Sequence, residues 1–496
     1  MQTTVGVVGA GLTGLVSAYE LRKRLGPNAR IVLIDVADRI GGKLKTVASD
    51  EGPIEVGAEA FLAFRKDAVK FFTDIGLADQ LVEPSSLPSM LYVGDSLHAL
   101  PRNTVMGIPA SPEGLGNLLD QQTLDQIAVE GDPEQIPPLQ WIPGDDVLLG
   151  PLIEHRLGRQ VVDRIVSPLL GGVYSTSADD LGLRATVPQL AHALDELATL
   201  GKPVSVTAAA AQVLEQRKQA AQARLASEDT QESSDESSAD AKKEKPAPIF
   251  LTFRDGYQVV YDRLLELAAP ELVLNTEVTG MTQVGDDGNR RWQLAADAAA
   301  LDSVQFDAMV LASPAPATAK ILENVSKDAS SLISSVDLAS SAVVAMRFDS
   351  DENLPNINGV LVAADADLDA KAFTLSSRKW PHLHERGGAI VRASFGRFGD
   401  DSLVKLDDEE LVSKARADLE TATGFNAAPV ETYVQRWWGG LPRYNVGHAD
   451  LMGFADQELA AFDTVAVAGA WHSSPGVPAC IADAKVAVSK IIEAVL

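Results

Sequence analysis

Gly9, Gly11 and Gly14 follow directly on the apolar run Val5-Gly6-Val7-Val8, and Asp35 closes a second apolar run, Ile31-Val32-Leu33-Ile34. Residues of these types at this spacing can hold a diphosphate and a ribose. Gly9 permits a tight turn and Gly11 lets backbone approach a pyrophosphate. Gly14 lets a helix pack close on the preceding strand, with its first amides facing the phosphates. The Asp35 carboxylate can accept hydrogen bonds from a ribose diol. Ala10, Leu12, Thr13 and Val36 lie inside the same two turns and join the candidate site. In isolation the glycine spacing is common; between two β-branched runs, with its acid in place, it predicts a dinucleotide site.

Elsewhere the chain offers little conventional catalytic chemistry. No paired carboxylates, metal-ligand cluster or nucleophilic triad has a persuasive spacing, so neither a catalytic side chain nor a metal is expected. His448 and His472 read as hydrogen-bonding residues of turns. Cys480 reads as a small buried hydrophobe. Tyr174 and Trp437 either wall a site or pack in a core.

The 496 residues are enough for two or three domains. A net charge of −27 argues against nucleic acid and anionic lipid as partners. No stretch is long and apolar enough to span a membrane, and the first strand leaves no room for a secretory leader. One cysteine excludes an internal disulfide framework. These features predict a soluble cytoplasmic protein.

The elements that must position the glycine turn come from both ends of the chain. Phe306–Ala312 and Thr464–Gly469 read as buried strands, and about Ile481 to Val495 as a helix. Helices are expected at 67–82, 148–167 and 187–200, strands at 249–253, 272–274 and 340–395, and a hairpin turn at Asp286-Asp287-Gly288. From Ala226 to Pro248 no large apolar residue occurs. That stretch cannot repay its ordering entropy, and 206–248 is expected to be a disordered acidic insertion.

Further motifs carry a resemblance. Arg39-x-Gly41-Gly42-Lys43 resembles the second signature of the amine-oxidase-like flavoprotein superfamily, and Gly57-Ala58-Glu59-Ala60 its contact region beside the flavin ring. Val278 matches the strand whose backbone meets adenine. Trp471 to Ile481, with Gly476, Val477 and Pro478, is similar to the closing turn whose amides reach the flavin. Gly171-Gly172-Val173-Tyr174, Leu91 to Pro101, and Arg436-Trp437 to His448 resemble blocks of bacterial and mitochondrial porphyrinogen oxidases. Two positions depart from those relatives: Ser175-Thr176-Ser177 replaces Ala-Gly-Asp, and Ser89 replaces an arginine of mitochondrial members.

The resemblance implies an α/β multidomain fold: a Rossmann-type FAD-binding domain with an inserted substrate-binding sheet domain and a helical domain. Residues 1–80, 249–315 and 436–496 would bind FAD, 81–205 would form the substrate and helical unit, and 316–435 the sheet domain. It implies noncovalent FAD, with Trp437 beside it, a porphyrinogen substrate and dioxygen as acceptor. Hydride would pass to the flavin, which needs orientation and a dry cavity more than an acid–base dyad. Three rounds would aromatise the ring and release hydrogen peroxide, before hand-off to a heme-pathway enzyme. Coproporphyrinogen III is favoured over protoporphyrinogen IX. Arg65 and Lys66, just after the flavin-side turn, are candidate partners for the propionates, or an ordinary solvated helix start. Arg443 and Arg102 are weaker candidates. The alternatives are an amine oxidase, a desaturase or a flavin-free escort protein.

Overall fold

The computed structural model describes residues 2–232, 248–285 and 290–496. The acidic stretch 233–247 and the turn at Asp286–Gly288 lie outside the described residues.

Five short runs rich in Val, Ile and Leu form one parallel sheet. They are β1 (Thr4–Val8), β2 (Arg30–Ile34), β3 (Glu271–Val273), β4 (Ala308–Leu311) and β5 (Val465–Val467), in the order β3-β2-β1-β4-β5. Strands this apolar need cover on both faces. Val5, Val7, Ile31, Leu33 and Val310 point to one core, under α1 (Leu12–Leu25) and α2 (Val477–Val495). Val8, Val32, Ile34, Met309 and Leu311 point to the other, covered by helices Ala315–Leu322 and Lys327–Ser334. The glycine turn after β1, Ser313 after β4 and Gly469 after β5 all follow the carboxyl ends of strands, where α/β sheets bind ligands.

A second, seven-stranded sheet runs in the order 431–442, 338–348, 389–395, 372–374, 359–362, 89–93, 96–99. Helices between 149 and 199 build a third unit around Leu149, Ile153, Ile165, Leu190 and Leu194. The fold is mixed α/β and multidomain.

Several expected boundaries are corrected. Strands at 89–93 and 96–99, expected in the helical unit, join the second sheet through a parallel pairing with 359–362. Arg436 to Pro442, expected in the C-terminal FAD-binding part, is strand in that sheet. The two helices within 315–334, expected in the sheet domain, cover the parallel sheet instead. Residues 206–232, expected to open the disordered insertion, form a helix. Its start packs Val206, Ala209, Ala210 and Val213 into the helical core, and Glu130 accepts the Val206 and Thr207 amides at 2.9 Å. Alanines at helical spacing suffice to bury a face, which counting large apolar residues does not register.

Candidate cofactor and active site

The turn after β1 is built by what its glycines lack. Gly9 takes φ +106°, and a Cβ there would stand 2.7 Å from the Ala312 carbonyl. A Cβ on Gly14 would stand 1.7 Å from the Gly9 oxygen, so α1 can lie on β1 only with glycine at that position. Gly11 meets nothing closer than the Gly42 Cα at 3.7 Å. As the N-cap of α1 it has no side-chain cap, and the first turn carries no acidic residue. The leading amides of α1 are left for a ligand. Asp35 turns inward, its carboxylate accepting the Ala10 amide at 2.5 Å and the Ala37 amide at 2.8 Å. Val36 beside it is exposed.

The second loop lies against the first. Gly41 donates to the Ala10 carbonyl at 2.9 Å, and Arg39 clamps the loop by donating to the Ile40, Gly42 and Leu44 carbonyls. Its guanidinium also sits 5.9 Å from the Trp437 ring, whose Nε1–H donates to the Val56 carbonyl at 3.0 Å. Ala58 donates to the Lys43 carbonyl, and a Cβ on Gly57 would stand 2.2 Å from the same oxygen. Lys43 is closely surrounded by protein, which pushes its ammonium down, yet its side chain still meets solvent.

The carboxyl-terminal motif closes on the same place. α2 starts at Val477 after Gly476 (φ +107°), with Pro478 in its first turn and again neither side-chain cap nor acidic residue. Cys480 in this turn lies beside Thr13 of α1 and near Lys43. Two uncapped helix N-termini and a solvent-accessible lysine therefore converge. Ile481 packs in the core beneath. Val278 is buried at the start of the hairpin strand Val278–Val284.

The Glu59 carboxylate is taken by Ser376, Lys379 and Arg392. Burial opposes its charge, but Lys379 and Arg392, with a Ser376 hydrogen bond, outweigh burial and hold it at about 2. Arg392 also donates to the Gly57 carbonyl at 2.6 Å and so fixes the third turn. Sequence reading missed Ser376, Lys379 and Arg392, which lie more than 300 residues from their partners. Ala60 packs beside Ile54 and Val56.

On the substrate side, Arg65 pairs with Asp67 at 2.7 Å, and Lys66 is exposed at the first position of its helix. Arg443 is engaged by Asp337 and Asp180, while Arg102 is exposed. Tyr174 is buried, 5.6 Å from the Tyr444 ring, which stands 4.6 Å from His448. Burial raises the Tyr174 phenol to about 12, so it stays protonated at neutral pH. His448 Nε2 bonds the Trp471 carbonyl at 2.8 Å, as expected of a structural histidine.

Residues 12–492 match the model of the flavin containing amine oxidoreductases. The chain is 36% identical over 492 residues to coproporphyrinogen III oxidase of Mycobacterium tuberculosis, covering 98% of this chain and 97% of the relative. The chain belongs to the flavin-containing amine oxidoreductase family. In this family, the coproporphyrinogen III oxidase of Bacillus subtilis is 28% identical over 499 residues, with coverages of 98% and 97%. A solved structure from Exiguobacterium, described as a protoporphyrinogen oxidase, is 27% identical with a TM-score of 0.80, each chain covered to 99%. Cyclohexylamine oxidase of Brevibacterium oxydans, at 14% identity and a TM-score of 0.66 with 99% of each chain covered, shares the fold.

In this flavin-dependent oxidoreductase the residues at this place fit the cofactor. The Gly11 and Gly42 backbones are free of side chains, the helix N-termini are uncapped, and Lys43 supplies a cation. The closing turn has its own lock. Burial would lower the His472 pKa, but hydrogen bonds to Asp456 and Asp483 raise it to about 10. The imidazolium bridges Asp483 at 2.9 Å and Asp456 at 3.2 Å, and Asp483 also accepts the Gly469 amide at 2.7 Å. A raised pKa contributes stability fully below the unfolded-state value near 6.5 and loses it as pH climbs towards 10. Between pH 7 and 10 the protein is expected to lose roughly 2 kcal/mol from this group, a figure reduced because Asp456 faces solvent. His472→Gln should flatten that slope in urea titrations. Equal slopes in the two proteins would remove His472 as the lock.

Proposed function

We propose that the chain is a FAD-dependent, oxygen-dependent coproporphyrinogen III oxidase of heme biosynthesis, working in the cytoplasm. The observation that supports it is the convergence of Thr13, Lys43 and Cys480 at two uncapped helix ends, in a chain similar over nearly its whole length to oxidases of that name. When bound, FAD supplies two-electron hydride acceptance from a bridging methylene and is reoxidised by dioxygen. Coproporphyrinogen III loses six hydrogens to become coproporphyrin III, so three dioxygen molecules become three hydrogen peroxide.

The protein's share is binding and orientation. The α1 amides and Lys43 would hold the diphosphate, and Asp35 the ribose. The α2 amides would favour negative charge on a flavin bound beside them. Trp437 and Arg392 fix the turn at Val56–Gly57, which would border the cofactor. Burial raises the Cys480 thiol, which leaves it protonated and poorly nucleophilic and supports noncovalent FAD. A heme-pathway enzyme would receive the product.

The purified protein is expected to be yellow and to release FAD on denaturation. It should form three peroxides per porphyrin and show the higher kcat/KM on coproporphyrinogen III. A colourless protein that takes up no FAD would overturn the reading, and a preference for protoporphyrinogen IX would overturn its substrate.

A further inference from the structure

The turn at 396–400 is pinned to the end of helix Ser167–Tyr174. Phe398 donates its amide to the Ser175 carbonyl at 2.7 Å. Lys371 reaches the same spot, its Nζ donating to the Ser175 hydroxyl at 2.5 Å and the Gly396 carbonyl at 2.8 Å. Lys371 is only 5% exposed, and among the described residues no carboxylate touches its ammonium. Burial first, and then the neighbouring Arg397, pull it down to about 7.

Arg397 is half-buried, and burial pulls its guanidinium down as well. Among the described residues that guanidinium makes no hydrogen bond and no ion pair. Asp400 attracts it without touching it and gives a carboxylate oxygen to the Ser402 amide at 3.0 Å. Arg397 is a partly desolvated cation with no contacting carboxylate among the described residues, beside a buried lysine that is only partly protonated at neutral pH; an anion joining them would relieve the cost of that buried charge and favour the protonated lysine. Arg443, close by, cannot serve. It stacks on the Phe398 ring at 4.3 Å and is held by Asp337. The exposed Gly172 and Val173 lie on the last turn of the helix that Lys371 and Phe398 grip.

We propose that Arg397, with Lys371 behind it, is a subsite for one carboxylate of the substrate. This rests on the porphyrinogen reading, which supplies a substrate with propionates on its rim. The planar guanidinium takes the carboxylate in a two-point bond, and the lysine adds charge and holds the turn. In a protein of net charge −27, such a local field is what draws in a polyanion.

Arg397→Gln and Arg397→Lys in the flavin-loaded enzyme test it. The glutamine variant is expected to raise KM for coproporphyrinogen III by roughly 10- to 100-fold, the loss of one charge-assisted contact, with kcat within about threefold. The lysine variant should fall between. Binding of coproporphyrin III, followed by its absorbance, should weaken in parallel, while binding of its tetramethyl ester should not. An unchanged KM, or equal weakening of acid and ester, would overturn the subsite and leave the oxidase reading intact. A wild-type enzyme that oxidises no porphyrinogen would overturn both.

Discussion

Gly14→Ala is expected to strip the protein of flavin and lower its Tm sharply. The added Cβ would stand 1.7 Å from the Gly9 carbonyl oxygen, and the obstacle is backbone, which no rotamer change relieves. α1 would have to lift off β1, at a cost above the ~1–3 kcal/mol usual for overpacking, because the turn itself must open. Gly11→Ala separates binding from folding. Its Cβ would meet only the Gly42 Cα at 3.7 Å, and its φ of −71° suits alanine. The fold should survive with Tm changed by about 2 °C or less, on the scale of a surface substitution. FAD affinity should drop about 100-fold, since the methyl occupies the approach path of the pyrophosphate. Melting of both apo variants and titration with FAD would check this. Wild-type FAD affinity in Gly11→Ala would remove the pyrophosphate assignment. A wild-type Tm in Gly14→Ala would refute the packing argument.

The parallel sheet and its glycine turn were legible because their causes are local. A β-branched run, a positive φ that glycine tolerates and a close helix contact each leave a mark within thirty residues, and β1 to β2 carry all three. The closing turn was legible in the same way, although its helix starts at Val477, four residues before the expected Ile481. Pro478 in the first turn explains the earlier start, since its fixed φ suits that position. What stayed hidden depends on partners far along the chain. Glu59 sits in a motif read as a flavin contact, and nothing local to that motif announces that Lys379 and Arg392 pair with its carboxylate. Arg65 looked free until Asp67, two residues on, was seen to fold back on it. Arg397 carried no sequence signal, because its interest lies in the counter-charge it lacks.

The acidic half of the chain's long insertion invites neglect of its first half, and Arg156→Met shows why that would be an error. Glu130 is fully buried and accepts hydrogen bonds from the Val206 and Thr207 amides, the Thr207 hydroxyl and Arg156 Nε, the last at 2.8 Å. It thus caps the helix Val206–Glu232 from a different element, and Arg156 is its counter-ion. Removing the arginine strands a buried carboxylate, which costs about 3–5 kcal/mol. Urea unfolding should show that loss, and hydrogen exchange should report freed amides in 206–213. Flavin retention in the folded fraction should be unchanged, because the pair lies in the helical core and not beside the glycine turn. The double variant Arg156→Met with Glu130→Leu removes both charges, and most of the stability should return, less about 1 kcal/mol for the lost cap. If Arg156→Met alone unfolds within about 1 kcal/mol of wild type, Glu130 is held by the helix amides alone and the ion pair is dispensable.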